Sequence, residues 1–138
     1  MSFREKSAWI TLLTVLACFG LYFGSIVTGR VSARGLDTLH LLLSCVLALV
    51  VLQIGLKLFA ALTTPRDSRV PRDEREALIQ WRAQSLGYYV LMVLALALFV
   101  PVHLGHTAID MANFALLDVV IATLVVAVAQ IVMFRRGA

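Results

Sequence analysis

Four long apolar runs alternate with short polar stretches, and within each run apolar side chains fall on every side of a helical wheel instead of along one stripe. That pattern marks helices whose solvent is lipid. It predicts spans at about residues 8–28, 39–62, 86–102 and 112–134. At ~1.5 Å per residue, ~20 residues cross a hydrocarbon core of ~30 Å. The third run is the shortest, and the helix-forming "DEREALIQWRAQS" ahead of it is expected to extend it into the headgroup layer.

The expected fold is therefore all-α and integral to a membrane: an antiparallel four-helix transmembrane bundle, one domain over residues 1–138. Composition agrees, with 61% hydrophobic residues, 14% charged residues and a mean hydropathy of +0.93. The basic start could instead open a signal peptide, and "VSA" (Val31–Ala33) loosely resembles a cleavage site. The apolar run is longer than a usual signal core and Arg30 crowds that site, so a retained first helix is expected.

Charge sets the orientation. Arg4 and Lys6, the connection with Arg66, Arg69, Arg72, Arg75 and Arg82, and the end with Arg135 and Arg136 hold nine basic residues. The other two connections hold Arg30 and Arg34. By the positive-inside rule both termini and the loop over residues 63–85 are cytoplasmic. A net charge of +4 in a soluble protein would hint at nucleic acid. Here the cations sit beside apolar runs, where anionic lipid headgroups are the natural partners, and no nucleic acid is expected.

The loop "TTPRDSRVPRDEREALIQW" is the one sizeable polar segment. Pro65 and Pro71 stop the second helix and delay the next. Asp73 is an expected N-cap, and Glu74 and Glu76 place negative charge in the first turn, where the helix dipole favours it. Trp81, Tyr88 and Tyr89 then enter at headgroup depth. Arg72, Asp73, Glu74, Arg75 and Glu76 fix the third span by themselves, and they also offer a docking surface to a cytoplasmic protein.

The segments "MSFREKSAWITLLTVL", "PRDEREALIQWRAQSLGYYVL" and "FRRG" resemble a family of small bacterial four-span membrane proteins with no assigned biochemical activity. Its members share a basic start leading into a Trp-containing helix, a Pro-x-Asp-Glu-Arg-Glu segment before the third span, and a basic end. The resemblance covers most of the chain, and the middle motif is its specific part. It implies a bacterial inner-membrane protein paired with a regulator, and it carries over no catalytic residue.

Polar residues inside the spans come next. Asp118 lies six residues into the fourth run, ~9 Å deep. A carboxylate within a span usually faces a bundle interior or a wet cavity; a shallow one reaches the headgroups. Lys57, near the inner end of the second run, is expected to snorkel to the inner headgroups. Gln53 and Gln130 can hydrogen-bond across helices. Gly20 and Gly24, with Thr28 on the same face, let two helix backbones approach closely, within the bundle or between copies. Cys18 and Cys45 lie inside apolar runs without a Cys-x-x-Cys spacing and read as buried free thiols. "VVLQIGLKLF" echoes "AVAQIVMFRR", which suggests two related hairpins about an axis along the membrane normal.

The outer side collects His40, His103, His106 and Asp110. Histidine with carboxylate suits a divalent metal if the groups converge. The same histidines could hold a haem or sense pH. Each also has a structural role open to it: Gly105 ends a helix, while Asp110 and Asp37 cap the helices that follow. No nucleophile–base set or phosphate loop is present in the sequence, so no enzyme and no cofactor are expected, a divalent ion aside. The expected function is a small interaction, sensor or regulatory component of the membrane, assembled as a homo-oligomer. The alternative is a small cation or metal transporter or channel that uses Asp118 and the outer histidines.

Overall fold

The computed structural model describes residues 3–32, 35–63 and 74–136. Every regular element among them is helical: α1 (Phe3–Val27), α2 (Leu36–Thr63), α3 (Glu74–Ala97), α4 (Phe99–His103) and α5 (Ala108–Arg136). Four helical segments, with α3 and α4 counted as one of 30 residues, are long and apolar enough to cross a membrane. In hydrocarbon each backbone N–H and C=O must be bonded within the protein, and a helix does this within itself. The hydroxyls follow the same rule. Thr14, Ser25, Thr28, Ser44 and Thr123 each donate to the carbonyl four residues earlier, at 2.7–2.8 Å.

The helix ends are built from local chemistry. After α1, Gly29 adopts φ 69°, its N–H donates to Ile26 O at 3.1 Å, and the Arg30 N–H donates to Ser25 O at 3.0 Å. This pair of bonds is a Schellman motif, which needs a residue free to take a left-handed conformation. The same motif closes α4: Gly105 has φ 81°, with Gly105 N to Val102 O at 3.2 Å and His106 N to Pro101 O at 3.3 Å. The break between α3 and α4 at Leu98 has its cause in Pro101. Proline has no N–H for the Ala97 carbonyl, and its ring presses on that carbonyl.

Three seams hold the four long helices together: α2 on α1, α1 on α5, and α5 on α3. No comparable seam joins α2 to α3 among the described residues. An axis relating the two hairpins would need that seam as the counterpart of α1 on α5, so the packing departs from the expected repeat. About 28% of the span is buried in α1 and in α5, against 6% in α2 and in α3–α4. The core sits between α1, α2 and α5, where Val15, Phe19, Tyr22, Cys45 and Val120 pack together. Cys18 and Cys45 are both buried and free.

On the α3–α5 seam Ala83 and Gly87 are both buried. A Cβ at Gly87 would collide with Val126 Cγ2 and meet the Ala122 carbonyl oxygen at 3.4 Å. The missing side chain is what lets the two backbones approach. Gly20 and Gly24 lie elsewhere: a Cβ at either would find nothing within 4 Å. Among the described residues their spacing serves no contact.

Candidate functional site

The start of α1, the start of α3 and the end of α5 meet at one end of the molecule. Arg4 is ion-paired with Glu76. Arg135 Nε lies 3.6 Å from Glu5 Oε1, and its guanidinium stands 5.4 Å from the centre of the Trp9 ring. These contacts tie three elements that the sequence holds far apart. They also bring Arg4 and Arg135, one from each end of the chain, to the same end of the molecule.

At this end lies a cavity of about 360 Å³. Arg4, Ser7 and Thr11 line it from α1, Lys57 from α2, Glu76 and Gln80 from α3, and Thr123 and Gln130 from α5. Along α1 the lining extends from Phe3 to Thr11, about 12 Å at ~1.5 Å per residue. Along α5 it extends from Phe134 back to Thr123, about 16 Å by the same rise. Phe3, Val126, Ala127 and Phe134 complete a lining that is about half apolar, and a cleft of this size lies within the ~300–1,000 Å³ usual for small-molecule pockets.

Lys57 is its most telling residue. Side chains on a helix lean toward its N-terminus, and the Lys57 ammonium donates to Gln53 Oε1 at 3.0 Å, one turn toward the start of α2. It therefore turns away from the end of its helix, where a snorkelling lysine would reach. No described carboxylate pairs with it. Gln130, expected to bond across helices, faces the same cavity.

Asp118 lies apart from the cavity. It is 9% exposed, and its Oδ2 is buried without a hydrogen-bond partner. α5 begins at Ala108, earlier than the apolar run suggested, so Asp118 stands ten residues into the helix, about 15 Å from its start. Ala122, one turn on, bears on Gly87, which places Asp118 toward the α3 side of α5.

At the opposite end, Thr107 and Asp110 form a reciprocal cap. The Thr107 N–H and hydroxyl donate to Asp110 Oδ2 at 3.1 and 2.8 Å, and the Asp110 N–H points to Thr107 Oγ1 at 3.4 Å. The N-cap is thus Thr107, with Asp110 in the third helical position, a capping box in place of the expected Asp110 cap. Asp37 likewise falls within the first turn of α2, as its second residue instead of the expected cap. His106 Nδ1 stands 3.9 Å from Asp110 Oδ2, with its ring edge-to-face on Phe114. His103 Nδ1 lies 2.7 Å from Phe99 O, the geometry of a donor to its own helix. His40 is exposed on α2. The structure brings His106 and Asp110 together, and among the described residues no three His, Cys, Asp or Glu side chains gather as a metal site.

Of the loop residues, Glu74 and Arg75 are exposed and Glu76 is half-buried against Arg4. Arg72 and Asp73, and with them the expected Asp73 cap, lie outside the described residues. Two relationships escaped the sequence reading. One is the bond from the Tyr22 hydroxyl to Asn113 Oδ1 at 2.7 Å, which ties α1 to α5. The other is the Ala83–Gly87 pair. A tyrosine inside one apolar run and an asparagine inside another were the available signal for the first, and small residues four apart for the second.

No family model, curated protein or solved structure matches this chain.

Proposed function

We propose that this is a non-enzymatic multi-pass protein of the bacterial inner membrane, with both termini cytoplasmic, that works as a sensor or regulatory interaction component. The observation that carries the reading is the convergence at one end of the molecule. The Arg4–Glu76 and Glu5–Arg135 pairs, the start of α3 and the mouth of the cavity all meet there. Glu74, Arg75 and Glu76 open α3 at this end, and with Arg72 and Asp73, which precede them in the sequence, they form the segment a cytoplasmic partner would meet. A homo-oligomer is part of the proposal. Gly20 and Gly24 leave a small-residue face on α1 that no neighbour among the described residues occupies, and such faces let helices pair in lipid.

Photo-crosslinking from position 75 in native membranes, with the captured protein identified by mass spectrometry, tests the docking surface. One recurrent partner that is lost on Arg72→Glu/Arg75→Glu is the expected result. An adduct pattern unchanged by the reversal would remove the loop as the partner-facing element. Single-molecule photobleaching in lipid, with Gly20→Leu/Gly24→Leu beside the parent chain, tests the oligomer separately.

One observation favours a second reading, a cation transporter. Asp118 is a buried carboxyl with an unbonded oxygen within a span, and such residues often mark ion paths. Proteoliposome flux that Asp118→Asn abolishes would put this reading first.

A further inference from the structure

We propose that the cavity between the four helices is a binding site for a phosphate-type oxyanion, with Lys57 as its charged anchor. The argument starts from charge. Three ionised side chains line the cavity, and Arg4 and Glu76 neutralise each other at its mouth. Among the described residues the Lys57 cation has only the neutral Gln53 oxygen as partner. An uncompensated cation within a span is costly, and a bound anion is the direct way to compensate it.

Hydrogen-bonding capacity points the same way. The Thr11 hydroxyl spends its proton on Ser7 O at 3.0 Å, and that of Thr123 on Val119 O at 2.8 Å. The Ser7 hydroxyl and the Gln80 and Gln130 amides carry no side-chain hydrogen bond to any described residue. Lys57, Ser7, Gln80 and Gln130 thus offer donors into one space from four different helices. A carboxylate accepts at about four lone-pair sites, all confined to one plane. Donors arriving from four sides suit an anion whose oxygens radiate tetrahedrally, and charge-assisted bonds of this kind are the strong ones. The shared chemistry is a phosphoryl anion, and it has two sources: the headgroup of an anionic phospholipid entering sideways from the bilayer, or free inorganic phosphate entering from the open end. The inference is independent of any protein partner at the loop.

The test uses the full chain in maltoside micelles, which contain no phosphate. One arm titrates inorganic phosphate calorimetrically at constant ionic strength. The other adds phosphatidylglycerol or phosphatidylcholine and counts retained lipids by native mass spectrometry. Binding in the first arm identifies the free ion as a ligand, and preferential retention of one phosphatidylglycerol identifies the headgroup; either supports the site. Lys57→Gln is expected to weaken binding at least ~10-fold and Lys57→Arg to keep most of it, as loss of a charge-assisted bond requires. Gln130→Leu is expected to weaken it several-fold, and it decides alone if Lys57→Gln does not fold. Binding of neither probe, or binding that neither variant weakens, overturns the proposal.

Discussion

The hydroxyl of Tyr22, 1% exposed, donates to Asn113 Oδ1 at 2.7 Å, joining the last turns of α1 to the first turns of α5. This bond closes the α1–α5 seam at one end as the Glu5–Arg135 pair closes it at the other. Its surroundings are apolar, with Phe19, Phe23 and Ile26 packed nearby. Tyr22→Phe leaves the volume unchanged and leaves Asn113 Oδ1 without this donor. The expected loss is ~0.6–1.5 kcal/mol, within the range for single hydrogen bonds in membrane proteins. Unfolding in mixed micelles, followed by helical circular dichroism, measures it. An unchanged midpoint would make the bond incidental to the fold.

The four helices were legible because a lipid-exposed helix is apolar on all sides, and length alone then marks a span. Their packing was not, for the same reason: a helix without a polar stripe gives no sign of which face meets a neighbour. Gly20-x-x-x-Gly24 and Ala83-x-x-x-Gly87 have the same spacing in sequence, and among the described residues only the second sits in a seam. The cavity was harder to read still. Ser7, Lys57, Gln80 and Gln130 stand singly on four helices, and each taken alone is an isolated polar residue. The outer histidines drew notice by lying close in sequence, yet His103 turns to its own helix while His106 turns to Asp110 and Phe114.

Asp118 gives a prediction whose sign decides its role. A buried acceptor without a partner costs the fold ~1–3 kcal/mol. If packing is its only role, Asp118→Leu relieves that cost and raises the unfolding midpoint in mixed micelles, and this is the expected outcome. A lowered midpoint would mean that the carboxyl holds a group in the native membrane. Asp118→Asn, of the same shape, then separates loss of charge from loss of volume.

The Arg4–Glu76 pair predicts a rescue. Both side chains are about three-quarters buried, so the pair is better sheltered from salt than the exposed pairs whose median worth is ~0–1 kcal/mol. Arg4→Glu sets two carboxylates against each other and should lower stability by more than that median. Arg4→Glu/Glu76→Arg restores opposite charges in swapped positions and should recover most of the loss. Failure of the double variant to recover would mean that the local geometry, not the charge pairing, holds α1 to α3.

Gly87 and Val126 offer the sharpest test of the α3–α5 seam. A methyl group at Gly87 would occupy the space that Val126 Cγ2 now fills. Valine is stiff about χ1, so it cannot turn aside freely within a helix. Gly87→Ala is therefore expected to cost ~1–3 kcal/mol as overpacking, even though alanine is the better helix former. Val126→Ala opens a small void and should cost less. Combined, the alanine methyl at 87 moves into the space vacated at 126, and the double variant should be more stable than the sum of the two single losses allows, with ~0.5–3 kcal/mol of favourable coupling. Gly20→Leu, whose added side chain no described residue opposes, should not lower the unfolding midpoint of the monomer at high dilution in mixed micelles. Coupling near zero between 87 and 126, or a large loss at 20, would mean that the helices pack through a different seam from the one described.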